Sequence, residues 1–239
     1  MTKKVSCIIC AYNEAGRIGS VLAALKDHPL VSEVVVVDDG STDGTAKVVR
    51  SFGFPRLVKH AENRGKSAAF LTAVTNAQSD IIFCIDADLY GITPENITSL
   101  IEPVLSGEAD IAMSFHRNNV FYTHLLGFNH ITGDRVFSRD LIKDNLSEIP
   151  RLTRWGIEVF LNRLIIEKKL RVMSVFWKNV RNPPKTEKET VPNGIATLFS
   201  MVLDILTVVP LHKVIEQNIK LLGQTVRKPP ERRLINFKL

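Results

Sequence analysis

Short runs of strand-forming residues alternate with amphipathic stretches along the first half of the chain. The runs are rich in Val, Ile and Phe and end in polar residues, which is typical of buried parallel strands that emerge at loops. The predicted strands are 5–10, 34–37, 57–60, 81–85 and 110–114. The predicted helices are 15–26, one that ends at Phe52 and is capped by Ser41 or Asp43, 66–76, and 94–105 with Pro94 in its first turn. This alternation predicts an α/β fold, a mostly parallel sheet with helices on both faces.

The pattern changes after residue 114. Segments 131–138 and 171–177 predict two further strands, and 155–168 predicts an amphipathic helix. The two prolines at 183 and 184 interrupt the pattern, and 195–222 predicts two helices joined at Pro210. We therefore predict one main domain over 1–190, with halves 1–114 and 115–190, and C-terminal amphipathic helices with a basic tail over 191–239.

Composition adds a constraint on partners. The chain has 239 residues, of which 45% are hydrophobic and 23% charged, so it can build an ordinary globular core. The net charge is +6, with an excess of cations near the C-terminus. A basic balance indicates nucleic acid, an anionic membrane or a phosphate-bearing substrate. Aromatic residues are few and are not interleaved with the cations, which argues against nucleic acid.

Cysteines and apolar stretches bear on the compartment. Cys7 and Cys10 have the C-x-x-C spacing, but no second pair and no nearby His completes a zinc set, so we predict that these and Cys84 are core cysteines. Three cysteines without a disulfide framework suit a reducing, cytoplasmic compartment. No signal-peptide pattern opens the chain. The longest apolar stretch, 195–211, is shorter than the ~20 residues of a membrane span, so no transmembrane helix is predicted.

Two acidic clusters follow predicted strands. Asp38-Asp39-Gly40-Ser41 follows the second strand, and Asp86-Ala87-Asp88 follows the fourth. Ligands of open α/β sheets bind outside the carboxyl ends of the strands, where carboxylates can hold a sugar, a base or a divalent cation. A simpler interpretation is that the first cluster is a turn and Asp43 a helix cap.

Four motifs together resemble family 2 glycosyltransferases. In chain order they are Ala11-Tyr12-Asn13-Glu14, Asp38-Asp39-Gly40-Ser41, Asn63-Arg64-Gly65-Lys66 and Asp86-Ala87-Asp88. The resemblance covers roughly residues 4–180 and is strongest to the polyprenyl-phosphate (dolichyl-phosphate) sugar synthases. It implies a GT-A fold and an inverting transfer of sugar from a UDP- or GDP-linked donor.

The resemblance also implies a role for each motif in donor binding. The first two motifs match nucleotide-binding turns, the third lies near the nucleotide, and the fourth is the D-x-D element that holds Mg²⁺ or Mn²⁺ against the diphosphate. The implied donor-binding residues are Ala11, Tyr12, Glu14, Asp38, Asp39, Gly40, Lys66, Asp86, Ala87 and Asp88. Asp88 is the main expected metal ligand, and Asp86 ligates directly or through sugar and water. Many members of this subgroup continue with Leu-Gln, whereas this chain has Leu89-Tyr90, and a neutral Tyr is a poor metal ligand.

The second half is expected to bind the acceptor. Residues 132–139 resemble the S-G-x-R-x-F-x-R element of the same subgroup, which implies that Arg135 contacts an acceptor phosphate, with Arg117 and Arg139 as further candidates. A hydroxyl acceptor needs a general base, for which Asp134 and Glu158 are candidates, whereas an anionic lipid phosphate needs none. Glu158 could instead be an acidic residue favoured by the helix dipole, and Arg139 a solvated helix start.

The C-terminal helices leave several partners open. Segment 195–222 has a broad apolar surface followed by cations, which suits peripheral contact with the inner face of the cell membrane, packing on the main domain, or a homodimer. The predicted function is a glycosyltransferase with a polyprenyl-phosphate acceptor, or else with a soluble or glycan hydroxyl acceptor. A nucleotidyltransferase would show a Gly-rich basic loop after the first strand, and the remaining alternative is a non-catalytic nucleotide-sugar-binding or scaffold protein.

Overall fold

One mixed β-sheet organises the part of the chain that the structure, a computed structural model, describes: residues 4–116, 132–153, 156–183 and 211–226. Its strands are β1 (Val5–Ala11), β2 (Glu33–Asp38), β3 (Arg56–Lys59), β4 (Ile81–Cys84), β5 (Ile111–His116), β6 (Arg135–Ser138), β7 (Val172–Trp177) and β8 (Thr225–Val226). They pair in the order β3-β2-β1-β4-β6-β5-β7-β8. Among these strands only β6 runs antiparallel to its neighbours, so the predicted mostly parallel sheet is confirmed.

Helices cover both faces of the sheet, as predicted. They are α1 (Ile18–Leu25), α2 (Thr45–Ser51), α3 (Lys66–Asn76), α4 (Pro94–Leu105), α5 (Ile157–Glu167) and α6 (Leu211–Gln224), with 3₁₀ helices at Arg139–Leu141 and Lys143–Arg151. Alternate strand residues enter different cores: Ile9 and Val36 pack with α1, α2 and α4, whereas Ile8 and Val35 pack with α3 and α5. Strands buried on both faces explain why the sequence shows continuous apolar runs rather than alternation.

The predicted boundaries of α3 and α4 are confirmed to the residue. The start of α4 is set by Thr93, whose side chain accepts from the Asn96 amide while Asn96 bonds back to the Thr93 amide, and Pro94 occupies the first helical position. The predicted start of α1 at residue 15 is wrong, because the helix begins at Ile18. Asn13 has a positive φ of 54°, and the amides of residues 13–15 bond to side chains of the loop before α2 and of its first residue instead of entering a helix.

The cysteines are free thiols, as expected. Cys7 and Cys84 are buried in the two different cores, and Cys10 is half-buried. Burial raises the pKa of the Cys10 thiol to about 12, so this thiol is protonated and unreactive near neutral pH. The core interpretation of the C-x-x-C spacing is therefore confirmed for Cys7, and Cys10 packs against the opposite core.

The C-terminal element joins the same sheet. Leu221 of α6 is fully buried in the core that contains α5, the Gln224 amide lies 3.5 Å from the carbonyl oxygen of Ile166, and β8 pairs with β7. Ile219 of the same helix is 64% exposed. Within the described residues no helix is long and apolar enough to cross a membrane. The first predicted C-terminal helix and the basic tail lie outside the described residues, and the division at residue 190 stays a prediction.

Replacement of Asp43 by Ala is expected to destabilise the protein near neutral pH. The carboxylate accepts from the Thr45 amide at 2.9 Å and from the Ala15 amide at 3.1 Å, so it ties the loop after β1 to the first residue of α2. The N-cap of α2 is Gly44, and the predicted cap at Ser41 or Asp43 is therefore wrong. We expect a loss of about 1 kcal/mol in the free energy of unfolding, measured by chemical denaturation. Glu102→Ala, which removes an exposed carboxylate from α4, is the control and should change little.

The loss should depend on pH in a defined direction. Burial alone would raise the pKa of Asp43, but the hydrogen bonds from Thr45 and Ala15 lower it below its ordinary value. A carboxylate whose pKa is lower in the folded state stabilises the fold above its unfolded pKa and loses that effect as pH falls through the folded pKa. The difference between wild type and Asp43→Ala should therefore shrink below about pH 4. A difference that grows with acidification would contradict this assignment.

Candidate active site

The four motifs meet at the carboxyl edge of the sheet. Strand β1 pairs with β2 on one side and with β4 on the other. The order in which strands are added to the sheet therefore reverses beside β1. Such a switch point opens a crevice outside the strand ends. The first motif follows β1, the second follows β2, and Asp86-Ala87-Asp88 follows β4. The structure thus brings together residues that the sequence separates by more than 70 positions.

The first two motifs are fastened to each other. The Asn13 amide donates to Ser41 Oγ at 2.9 Å, the Glu14 amide donates to Thr45 Oγ1 at 2.8 Å, and the Thr42 amide donates to Asn13 Oδ1 at 2.9 Å. These bonds fix the loop after β1 and the loop after β2 to each other, and we call the two loops together the Tyr12 ledge. Tyr12 projects from it with 46% of its surface exposed, where its ring is available to a flat ligand.

Asp38 and Asp39 reach the expected edge, but both carboxylates turn into the protein. Asp39 is 3% exposed, and its oxygens accept from His60 Nδ1 at 2.6 Å, from the Arg64 amide at 3.0 Å and from the Gly65 amide at 2.8 Å. Asp38 is fully buried, and its Oδ1 accepts from the Ser41 amide at 2.9 Å. Asp39 therefore clamps the loop that leads to Lys66, and recognition of a base by these two side chains stays a prediction.

Gly40 allows that loop to come close. Its φ is +74°, and a Cβ at this position would lie 2.3 Å from the Glu62 carbonyl carbon. Backbone atoms cannot move aside cheaply, so no larger residue fits. The Gly in the second motif is thus required for the approach of the third motif to β2.

The D-x-D loop is held by the segment before β6. The Asp86 amide donates to Asp134 Oδ1 at 2.8 Å. Gly133 lies directly against the Asp86 carboxylate, since a Cβ there would be 2.1 Å from Asp86 Oδ1. Ala87 is buried, whereas Asp86 and Asp88 are half-buried at the edge of the crevice. Asp134, a candidate base in the sequence, is fully buried and acts here as an acceptor that positions Asp86.

Lys66 joins the two halves of the site. Its ammonium lies 2.8 Å from Asp86 Oδ1 and 2.7 Å from Glu158 Oε1, so one cation from the start of α3 bridges carboxylates from the loop after β4 and from the start of α5. Burial alone would lower the pKa of Lys66, but the two carboxylates raise it well above its ordinary value. Lys66 is thus fixed as a cation, and it keeps Glu158, which is 6% exposed, directed into the site.

Arg135 lies behind this bridge and is 1% exposed. Its Nε and Nη2 donate to the Thr132 carbonyl oxygen at 3.1 and 2.6 Å, and its Nη1 donates to Asn162 Oδ1 at 3.2 Å. Burial lowers the pKa of Arg135 from its ordinary value, and the surrounding carboxylates, Glu158 first, act in the opposite direction. The side chain lines the cleft, and its expected contact with an acceptor phosphate stays a prediction.

A cleft of about 360 Å³, which includes its open mouth, lies between the D-x-D loop and α5. Its lining combines the two cations and two carboxylates just described with the Cys10 thiol and several apolar side chains. The lining residues are Ile8, Cys10, Lys66, Phe70, Cys84, Ile85, Asp86, Gly133, Arg135, Ile157, Glu158 and Leu161. Few polar groups on an otherwise apolar wall are typical of a small-molecule site.

Tyr90 stands where many members of the subgroup have Gln, and the structure shows what it contacts. Tyr90 and Arg181 exchange backbone hydrogen bonds at 3.0 and 3.1 Å, and the Arg181 guanidinium carbon lies 4.7 Å from the centre of the Tyr90 ring. The ring is thus held by a cation-π contact, and the segment after the D-x-D loop is fastened to the chain that follows β7.

Arg139 is not brought to the site. Its guanidinium donates to the carbonyl oxygens of Val74, Ala77 and Ser79 at 2.6–3.1 Å, and its amide bonds to the Asp80 carbonyl oxygen just before β4 begins. This is the opposite end of β4 from the D-x-D loop, because β6 runs antiparallel to β4. Arg139 therefore ties down the end of α3. It begins the 3₁₀ helix Arg139–Leu141, as one of our interpretations expects, but its guanidinium is bound to carbonyl oxygens rather than solvated. Arg117 lies outside the described residues.

The two acidic residues of the D-x-D loop suit a divalent cation only in part. Carboxylate oxygens are the donors that Mg²⁺ and Mn²⁺ prefer. In the described part of the chain, however, no group of three or more His, Cys, Asp or Glu side chains is arranged to hold a metal. Asp86 Oδ1 already accepts from Lys66. The residues present thus fit a cation that takes its other ligands from a bound diphosphate and from water.

Several residues in the network around the site were not assigned a role from the sequence. His60 orients Asp39, and Ser114 and His116 both contact Asp134 Oδ2 at 2.9 Å. Asn162 accepts from Arg135. Polar residues at or next to the ends of predicted strands, such as His60 and His116, are a signal that could have indicated them, but their partners are distant in sequence.

These features define an α/β protein with a mostly parallel sheet, an acidic loop after the fourth strand and a cleft beside it. The model of glycosyl transferase family 2 matches residues 6–154, more than half of the chain, and the chain belongs to this family. The suspected family is thereby confirmed.

Proteins of similar sequence match this chain over only part of their own length. The 4,4'-diaponeurosporenoate glycosyltransferase of Staphylococcus aureus strain RF122 is 33% identical over 146 residues, which are 57% of this chain and 39% of that protein. The same protein from strain USA300 is 32% identical over the same share. The match to this chain thus spans 39% of the length of these curated relatives.

Solved structures confirm the GT-A fold. Glucosyl-3-phosphoglycerate synthase from Mycobacterium tuberculosis, in complex with phosphoglyceric acid, superposes with a TM-score of 0.68 at 23% identity, over 86% of this chain and 79% of that one. The same enzyme in complex with Mn²⁺, UDP and phosphoglyceric acid gives a TM-score of 0.64 at 25% identity, over 83% and 78% of the two chains.

Replacement of Lys66 by Met should destabilise the protein, because it leaves the Asp86 and Glu158 carboxylates facing each other without a cation. We expect a loss of about 2 kcal/mol in the free energy of unfolding, less than for a fully buried pair because the Lys66 side chain is 23% exposed. Lys66→Arg should recover most of it. The control is Lys143→Met, which removes an exposed ion pair with Asp140 and should change little. Equal stability of the Met and Arg variants at position 66 would contradict the bridge.

Proposed function

We propose that this chain is an inverting glycosyltransferase that moves a sugar from a UDP-linked donor to an anionic acceptor, with a polyprenyl phosphate as the first candidate. The observation that carries the proposal is the convergence of the D-x-D loop, Lys66 and Glu158 on one cleft at the carboxyl edge of the sheet. Family membership supports the reaction class, and the rest of this section concerns what the chain binds and how.

The donor is expected to lie along the crevice from the Tyr12 ledge to the D-x-D loop. Tyr12 would stack against the nucleoside, and the backbone of the fastened loops would contact the ribose. The M. tuberculosis synthase is seen with Mn²⁺ and UDP, which favours UDP over GDP as the nucleotide to test first. Lys66, fixed as a cation, would face the sugar-phosphate end of the donor.

A divalent cation, Mg²⁺ or Mn²⁺, would be held by Asp88, with Asp86 kept in place by Lys66, Gly133 and Asp134. When bound, such a cation neutralises charge that develops on a departing diphosphate. The chain itself supplies orientation. The tie from Asp134 fixes the backbone of the loop, and the Lys66 ammonium prevents repulsion between Asp86 and Glu158.

The reaction is a single displacement at the anomeric carbon. The acceptor oxygen forms a new bond to this carbon on the face opposite the diphosphate. The bond from the carbon to the diphosphate oxygen breaks, and its electron pair leaves with the diphosphate. An acceptor whose attacking oxygen is itself anionic, such as a phosphate or carboxylate oxygen, brings no proton to remove. An acceptor that attacks through a hydroxyl must give its proton to a base, for which Glu158 is best placed.

The nature of the acceptor is the more open part of the proposal. The name of one relative denotes an anionic compound, diaponeurosporenoate, and the M. tuberculosis synthase is seen in complex with phosphoglyceric acid, which supports an anionic acceptor here. Arg135 supplies a positive charge beside the cleft, and Arg117 is proposed as a second. Membrane contact through 195–222 and a homodimer stay predictions, since most of that segment lies outside the described residues.

Asp88→Asn should abolish metal-dependent chemistry while the fold is retained. We expect wild-type protein with Mn²⁺ to hydrolyse or transfer from a UDP-sugar, and the variant to lose about 100-fold or more in kcat/KM, because the amide is a weaker ligand for a hard cation. Released UDP is the readout. Asp144→Asn makes the same chemical change at an exposed site in the 3₁₀ helix and should be fully active.

The same experiment separates the alternatives. A non-catalytic nucleotide-sugar-binding protein would show a Mn²⁺-dependent thermal shift with UDP but no release from any UDP- or GDP-sugar. Neither binding nor release with any nucleotide sugar would refute the proposal. Ligand at about 100 times its Kd should add roughly 2.7 kcal/mol to the free energy of unfolding, so binding alone is readily detected.

Glu158→Gln should distinguish the two kinds of acceptor. The amide can keep a hydrogen bond to Lys66 but cannot accept a proton. With a lipid phosphate, kcat should change by less than about threefold, whereas a hydroxyl acceptor should lose about 100-fold or more. Product formation is measured with a polyprenyl phosphate and with a panel of glycan hydroxyl acceptors. A large loss with the phosphate acceptor would contradict the base-free displacement.

A further inference from the structure

A buried polar chain connects the D-x-D loop to the end of β5. His116 Nε2 lies 2.9 Å from Asp134 Oδ2, Ser114 Oγ donates to the same oxygen at 2.9 Å, and Asp134 Oδ1 accepts the Asp86 amide at 2.8 Å. His116, Ser114 and Asp134 are each 0% exposed. We call these three residues the Asp134 network. It links a side chain on one strand to the backbone of the predicted metal-binding loop.

His116 is itself firmly placed. Its ring stacks on Trp177 of β7, with centroids 5.6 Å apart and an angle of 18° between the planes. Trp177 is 1% exposed, and its indole nitrogen donates to Ser99 Oγ of α4 at 3.2 Å. The imidazole therefore cannot turn away from Asp134 without disturbing the packing between β7 and α4.

The Asp134 network holds the chain beyond the last residue pair of the ladder between β4 and β6. The ladder between β4 and β6 ends at the pair Cys84 and Arg135, and Asp86 lies beyond that pair. The bond from the Asp86 amide to the Asp134 carboxylate continues the attachment by one more step. Gly133, next to Asp134 in the chain, also lies against the Asp86 carboxylate. A small displacement of Asp134 would thus move both contacts of Asp86 together.

We infer that His116 is a positioning residue that acts through Asp134 and sets the geometry of the D-x-D loop for the metal–nucleotide complex. This inference rests on the proposed function for its catalytic consequence, but not for its structural one. A buried carboxylate needs all of its donors, since an unsatisfied charged oxygen in the interior is costly. Loss of the His116 donor leaves Asp134 Oδ2 with Ser114 alone, and the carboxylate shifts or recruits water.

The test compares His116→Phe with His116→Gln. Phe keeps a flat ring on Trp177 but removes the donor, whereas the Gln amide can reach Asp134 with an N–H. In the apo protein, hydrogen exchange of the Asp86 amide should accelerate about tenfold in His116→Phe relative to the Val36 amide in β2, and should return to within about threefold of wild type in His116→Gln. This measurement requires no activity, so it holds even if the proposed function fails.

The functional readout is the affinity for Mn²⁺ in the presence of UDP. His116→Phe should raise the Kd for Mn²⁺ about tenfold, with a smaller change in kcat at saturating metal, and His116→Gln should restore it. Val49→Ala, which opens a cavity in the core beneath α2, is a control for lowered stability and should leave both readouts unchanged.

The outcomes are distinguishable. Unchanged Asp86 exchange in His116→Phe overturns the inference, whatever the activity of the protein. Faster exchange in a wild-type background that shows no metal-dependent turnover supports the positioning role and refutes the proposed function alone. If His116→Phe does not fold, Ser114→Ala replaces it, since it removes the other donor to Asp134 Oδ2 and should accelerate Asp86 exchange about threefold. No acceleration in that variant would also overturn the inference.

Discussion

The ammonium of Lys66 is the interaction on which the arrangement of the cleft depends. Asp86 and Glu158 belong to different halves of the chain, and both carboxylates face one small space. Without an intervening cation, one of them would have to take up a proton or move away. Lys66 is held in turn by the loop that Asp39 clamps through the Arg64 and Gly65 amides. Asp39, a buried residue of the second motif, thereby determines the position of the Lys66 ammonium of the third motif.

Much of the fold could be predicted from the sequence, because its signals are local. Runs of Val and Ile set β1, β2 and β4, and Thr93 with Pro94 sets the start of α4 to the residue. The start of α1 could not be predicted, since residues 13–15 use their amides for bonds to Ser41, Asp43 and Thr45. Those bonds depend on residues about 30 positions away, and no local propensity reports them.

In the site, the sequence predicts which residue types are present but not the direction in which their side chains point. The sequence indicates that acidic residues lie at the ends of β2 and β4, which is correct, but not that the Asp39 carboxylate turns inward to His60. Arg135 and Arg139 lie in one motif, four positions apart, yet the first lines the cleft and the second binds carbonyl oxygens at the opposite end of β4. The direction of β6 separates them, and its antiparallel pairing is a long-range property.

The charge balance of the cleft makes metal and donor depend on each other. The described lining of the cleft carries two cations, Lys66 and Arg135, and two carboxylates, Asp86 and Glu158, so its formal charges cancel. A diphosphate alone would face Asp88 and its neighbours with unfavourable charge, and a divalent cation alone would find too few ligands. Each supplies what the other lacks, which is positive coupling between two ligands at one site. We therefore expect the fixed position of the D-x-D backbone to matter for both at once, and the side chains that hold it to contribute to donor affinity without touching the donor.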